Sequence, residues 1–169
     1  MSSIKDISLG SDNSIYLKLV EGITRIRICS EIIPIWTEFD RANKKATKYL
    51  SEELAAEHPE AKKRYGFWCI DRTDGKIRMA EMGISVMKQI QTLALDPDYN
   101  VESDIFPYDV KVLKEGSGME TSYSVTPSPA TPLTPEEQAL IVGLEGVESF
   151  FGKQPGVITK KADKSEVPF

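Results

Sequence analysis

Aromatic and cationic side chains are interleaved over one short stretch of this 169-residue chain. Arg64–Met82 (RYGFWCIDRTDGKIRMAEM) carries the cation Arg64, then Tyr65, Phe67 and Trp68 close together, then Arg72, Lys76 and Arg78. Flat π-faces can stack bases and cations can follow phosphates, so the mixture suits nucleic acid. It equally suits a core hairpin with a solvated edge. Other residues of the same chemistry lie upstream: Arg25 and Arg27, Trp36, then Arg41, Lys44, Lys45, Lys48, Lys62 and Lys63. Catalytic groups are scarce. His58 is the lone histidine, has no triad companions, and precedes Pro59. There is no carboxylate cluster with metal-ligand spacing and no glycine-rich phosphate loop, so neither an enzyme nor a metal or other cofactor is expected.

These residues need elements to position them. In Arg64–Met82, two strand patterns flank Asp74-Gly75, a dipeptide that accepts the positive φ of a hairpin turn. Upstream, Ser14–Val20 and Ile23–Cys29 alternate as strands around Glu21-Gly22. Arg25 and Arg27 are two apart, so they share a face. Glu31–Phe39 continues this strand after a break, with a bend, bulge or edge expected at Pro34, which has no N–H for the ladder. Asp40–Lys63 reads as a long connection with a helix-capable piece at 51–57. Ile84–Leu95 switches to helical spacing, with Val86, Met87, Ile90, Leu93 and Ala94 on one face. Tyr108–Glu115 and Thr121–Thr126 form a second hairpin. Prolines 127, 129, 132 and 135 are expected to stop the sheet. Thr134-Pro135-Glu136-Glu137 is a helix start with a capping box, leading into Leu140, Ile141, Leu144, Val147 and Phe151.

The totals fit a globular protein, with 40% hydrophobic and 28% charged residues. No apolar run is long enough to span a membrane, and the N-terminus lacks the apolar core of a secretory signal. Cys29 and Cys69 sit in strand patterns and read as packed thiols of a reducing compartment, so a cytoplasmic location is expected. The net charge is −5. Its distribution is uneven: Arg41–Arg78 holds ten Lys/Arg against six Asp/Glu, whereas Asp96–Glu148 holds two against eleven. Phosphate responds to the local field and not to the total.

A long bent strand, two strands, a helix and two strands is the order of a five-stranded OB-fold barrel, a mainly β fold. A split-sheet α+β domain is the competing arrangement. The expected organisation is an arm over 1–13, a barrel over 14–126, a Pro-rich linker and helix over 127–152, and a tail over 153–169. In such a barrel the outer face of the second and third strands usually holds the ligand, which puts Tyr65, Trp68, Arg72, Lys76 and Arg78 in contact range. Phe67, Cys69, Ile77, Met79, Val110 and Val112 are assigned to the interior. The helix ending at Phe151 leaves a homo-oligomer open.

The chain also resembles the single-stranded DNA-binding proteins of tailed phages. The likeness lies in Tyr16–Ile28 (YLKLVEGITRIRI), Phe67–Glu81 (FWCIDRTDGKIRMAE), Ser85–Leu95 leading into Asp96-Pro97-Asp98, and Tyr108–Val125 (YDVKVLKEGSGMETSYSV). The resemblance implies an OB-fold that coats exposed single strands in replication, recombination or repair, in the host cytoplasm if the chain is phage-encoded. Some members of this group carry a zinc subdomain in the first long loop; its Cys/His ligands are missing here. The final Glu166, Val167, Pro168 and Phe169 are similar to the acidic Pro-Phe tip by which bacterial single-stranded DNA-binding proteins dock replication and recombination enzymes. The alternative is an OB-fold protein-interaction or virion module that does not bind DNA.

Overall fold

The computed structural model describes residues 15–159. The expected arm over 1–13 and the tip Glu166–Phe169 lie outside the described residues. The protein is mainly β. Eight strands share one sheet that does not close: β1 Gly22–Ile28, β2 Ile33–Asp40, β3 Lys45–Tyr49, β4 Lys62–Asp71, β5 Lys76–Met82, β6 Tyr108–Glu115, β7 Ser122–Ala130 and β8 Val157–Ile158. Among the described residues, four α-helices, α1 Glu52–Ala55, α2 Ile84–Leu95, α3 Pro135–Val142 and α4 Val147–Gly152, and a single 3-10 turn at Gly118–Glu120 lie outside the sheet.

β4 ties the sheet together. One of its edges pairs with β5 along its length, from Tyr65↔Met82 to Asp71↔Lys76. The other edge is shared: β2 takes Lys62 to Gly66, and β1 takes Cys69 to Asp71. The changeover falls at the break between β1 and β2, where Ser30 Oγ accepts the Trp68 N–H at 2.7 Å and Cys29 N–H donates to Trp68 O at 3.0 Å. The sequence expects a bend, bulge or edge at Pro34; it lies inside β2 opposite Tyr65, on a stretch that pairs with β4 alone, an edge position that suits a residue without an N–H.

Other expectations differ from the structure. The supposed connection over 40–63 contains β3, which pairs with β2 from Trp36↔Tyr49 to Asp40↔Lys45 and makes a two-stranded arm. Residues 14–20 form no long strand in the described part; Ile15 and Leu17 bond to Met79 and cover the free edge of β5. β7 runs through Pro127 and Pro129, because it pairs with β6 alone and an edge strand tolerates the lost donors. The last helix is split at Gly143–Gly146 into α3 and α4. Its start is as the sequence specifies: Thr134 and Glu137 form a full capping box. Part of the expected tail is built into the sheet, since β8 runs parallel to β3.

Two apolar cores result, one on each face of β4. The first gathers Ile26, Ile28, Phe67, Cys69, Met82, Val110 and Val112 under α2. The second gathers Ile35, Trp68, Ile70, Met79, Val147, Phe150 and Phe151 under α4. Phe67 and Trp68 therefore point to opposite faces and both are buried. Gly66 permits the second core: a Cβ there would lie 2.6 Å from both Ile35 Cδ1 and Phe151 Cε2.

Adding that Cβ forces Phe151 or Ile35 out of place. Gly66→Ala is expected to cost about 1–3 kcal/mol through overpacking. Phe151→Ala, which empties the same spot, is expected to cost about 3–5 kcal/mol. Urea unfolding at neutral pH measures both, with a lowered midpoint and an unchanged slope as the expected result.

Candidate nucleic-acid interface

Three of the arginines that the sequence offered as nucleic-acid contacts converge on one carboxylate. Asp109, on β6, accepts from Arg27 Nε at 2.7 Å, Arg25 Nε at 2.8 Å and Arg72 Nε at 3.2 Å. β1 lies beside β6, with Arg25 opposite Lys111 and Ile26 opposite Val110, which aims both β1 arginines at the Asp109 side of the sheet. Arg27 is 1% exposed and donates its remaining groups to Thr131 Oγ1 and Phe106 O. Arg72 also holds Glu137, the capping residue of α3. Arg78 is buried against Asp71 at 3.1 Å and Asp74 at 2.6 Å. Arg27, Arg72 and Arg78 are thus structural cations, because burial without these partners would be prohibitive. Arg25 keeps about half of its side chain in solvent.

Trp68, expected as a stacking residue, is a core residue. Its indole Nε1 donates to Glu145 O at 2.8 Å, and its ring meets Phe150 edge-on at 4.8 Å. The outer face of β4 and β5, the expected groove, is occupied by α4 and the segment leading into it. Glu31 Oε1 pins that segment by accepting the Val147 N–H at 2.9 Å.

The opposite face of the arm presents a different set. Pro34 faces Tyr65 and Trp36 faces Lys63 across the β2–β4 ladder, so these side chains share one surface. Lys63 is exposed, and its Nζ lies 5.5 Å from the centroids of both Trp36 and Tyr65. Both rings are half-buried. The turn beyond carries Arg41, Lys44 and Lys45, all exposed, on a frame set by Asp40, whose carboxylate accepts from Ala42 N, Asn43 N and Asn43 Nδ2. Lys44 takes a φ of 54° there, a turn conformation that holds its side chain at the tip. Lys62 and Lys76 are also exposed. Among the described residues, none of these five outlying cations has an ion-pair partner. Lys48 and Arg64 do. Glu81 takes Lys48 Nζ at 2.6 Å, lies 3.6 Å from Arg64 Nε, and gives its backbone carbonyl to Arg64 Nη2. Phe39, 59% exposed on the arm, is absent from the contacts expected from sequence. Its place beside a cation-rich turn in a two-stranded arm is readable only once β3 is recognised as a strand.

His58 stacks on Tyr49 at 4.4 Å and sits 3.3 Å from Glu38 Oε1, which also accepts the Tyr49 hydroxyl. It closes the loop back onto β3. Burial pushes the Cys29 thiol up to about 12 and that of Cys69 well above the usual range, so neither offers a thiolate at neutral pH. No cluster of three or more His, Cys, Asp or Glu able to hold a metal exists among the described residues. No helix among them is long and apolar enough to cross a membrane.

The chain is similar to a probable ssDNA-binding protein of Escherichia phage T5, at 26% identity over 147 aligned residues. The match covers 69% of this chain and 56% of that relative, so the chain spans little more than half of the relative's length. No family model matches the chain. No solved structure matches it either.

The arginine cluster sets an acid limit on stability. Burial alone would raise the Asp109 carboxyl; the hydrogen bond and charge of Arg27, with Arg72 and Arg25, outweigh it and hold the group below its ordinary value. A carboxyl depressed in the folded state stabilises the fold above the unfolded pKa, ~3.9 for Asp, and loses that contribution as pH falls through the lower folded pKa. Asp109→Asn is expected to cost about 3–5 kcal/mol at pH 7, because it strands buried cations. It is also expected to flatten the fall in stability below about pH 4. Urea titrations of both proteins from pH 7 to pH 2 measure the two effects.

Proposed function

We propose that this chain binds single-stranded DNA without base-sequence preference, along the arm face that carries Trp36, Lys63 and Tyr65, and that it does so without catalysis. The observation that carries the reading is the pair of half-exposed rings with an exposed ammonium between them. Two rings on one strand-to-strand surface supply sequence-tolerant stacking, since every base has a π-face, and the cation sits where a phosphate would follow. Arg41, Lys44 and Lys45 at the turn, with Lys62 at the start of β4, extend the positive field along the arm. The name of the phage T5 relative supports the same polymer.

The order of pairing supports an OB-fold as the core. β1 pairs with both β4 and β6, β4 with β5, and β6 with β7, while the β2–β3 arm and α4 are additions to it. In this reading the protein coats exposed strands during replication, recombination or repair in the cytoplasm, and the tip Glu166–Phe169 recruits partner enzymes.

Tryptophan fluorescence tests it. Trp68 is sealed in the core, so quenching by an oligothymidine is expected to come from Trp36. Wild type is expected to quench at low salt and to lose affinity steeply as salt rises. Trp36→Phe is expected to abolish most of the quenching, and Trp36→Ala to weaken binding by roughly 5- to 100-fold, the equivalent of ~1–3 kcal/mol per stacked base. Lys44→Ala with Lys45→Ala is expected to flatten the slope of log K against log salt by ~0.7 for each phosphate that is no longer neutralised. An unquenched protein at low salt overturns the proposal.

A further inference from the structure

Helix α2 is fastened to the sheet through Gln89, whose amide does the work of a neighbouring strand. It donates to Tyr123 O at 2.8 Å and accepts the Val125 N–H at 2.9 Å, both on the unpaired edge of β7. Val86, Met87 and Ile90 press inward beneath it. On the side toward the arm the helix stands clear of Ile32, Tyr65 and Phe106, and a cavity of about 330 Å³ remains between them. Ile84, Met87, Ile90 and Ala94 supply the helix wall, while Lys88 and Gln91 add the polar groups. Unlike Gln89, Gln91 is exposed and its side chain has no partner among the described residues; the same is true of the Lys88 ammonium.

We infer that this cavity is a subsite for one nucleobase of a bound strand, an inference that rests on the proposed binding of single-stranded DNA at the arm. Tyr65 links the two places. It stands beside Lys63 on the arm face and it also walls the cavity. A strand stacked along Trp36 and Tyr65 therefore reaches the mouth of the cavity at its next nucleotide. The chemistry inside selects a base over the rest of the nucleotide. Apolar walls reject phosphate and sugar, which would lose their hydration unreturned. A flat ring with a polar edge keeps its faces against Ile84, Met87 and Phe106 and offers its edge to the Gln91 amide, which both donates and accepts. Lys88 stands by for the adjoining phosphate. The volume lies at the small end of ligand cavities, enough for a ring system and too small for a folded peptide segment.

Methyl NMR on the full chain, labelled at Ile and Met methyl groups, separates this inference from the reading beneath it. An oligothymidine is expected to shift the Ile84, Met87 and Ile90 methyl signals upfield through its ring current, and an abasic oligonucleotide of equal length is expected to leave them in place. Ala94→Leu, which fills the cavity from the helix side, is expected to abolish those shifts and to weaken oligothymidine binding by about 5-fold or more, with quenching of Trp36 retained. Gln91→Ala, on the exposed rim, tests the same site should the leucine variant fail to fold, with an expected loss of about 3-fold or more. Wild-type quenching without movement of the three methyl signals overturns the subsite and leaves arm binding standing. Absence of quenching in the wild type at low salt overturns both.

Discussion

The close approach of Phe151 to the backbone at Gly66 decides which surfaces of this protein are available. Ile35 and Phe151 both come within 2.6 Å of the point where any other residue would place its Cβ. With that space open, α4 lies flat on the outer face of β4, and Trp68, Ile70, Met79, Val147 and Phe150 close around it. β4 is then apolar on both faces from Phe67 to Ile70. Sandwiched strands of this kind contribute stability and little surface, since both rows of side chains are spent on packing. The exposed chemistry of the strand is displaced to its first residues, where β2 and β3 carry the sheet beyond the two cores.

Charge is partitioned by the same geometry. Of the ten cations between Arg41 and Arg78, four are held by carboxylates: Lys48 and Arg64 by Glu81, Arg72 by Asp109 and Glu137, and Arg78 by Asp71 and Asp74. The six that remain, Arg41, Lys44, Lys45, Lys62, Lys63 and Lys76, lie on the arm and on the β4–β5 turn. Asp109 adds a mechanical role. It joins β1, β6 and the β4–β5 turn through three guanidiniums, and Arg72 passes the connection to α3 through Glu137. The C-terminal helices are therefore tied to the sheet by charge at one end and by Phe150 and Phe151 at the other. A net charge of −5 and a cationic arm are compatible because field, unlike total charge, is local.

The sheet's open seam has a physical explanation in side chains. β5 and β7 would have to pair for closure, yet each free edge is otherwise engaged. Residues 15–17 bond to Met79 on β5, and Gln89 bonds Tyr123 and Val125 on β7, which also carries two prolines. Both edges are thereby protected from pairing with other chains. The helix that bridges the seam is held at β7, and the gap it leaves toward Tyr65 is the cavity beside the arm.

Local rules made several elements legible in the sequence. Asp74-Gly75 specified the β4–β5 turn, the 3.6-residue spacing specified α2, and Thr134 with Glu137 specified the start of α3, because turn conformation, amphipathic period and capping each depend on a few adjacent residues. The unbroken run Phe67–Ile70 lacks the alternation of a half-exposed strand, which is the mark of burial on both faces even where the run includes a tryptophan. Pro127 and Pro129 argued against a strand, although an edge strand admits them. Composition and spacing by themselves determined a mainly β chain with a cationic, aromatic segment in its middle. Tertiary structure decided which of those residues remain exposed. Arg27 and Trp68 are indistinguishable in sequence from Lys63 and Trp36. They differ because Asp109, Thr131 and Glu145, whose hydrogen bonds to the first pair span 77 to 104 residues of chain, fold back onto it together with Phe150 and leave Lys63 exposed and Trp36 half-exposed.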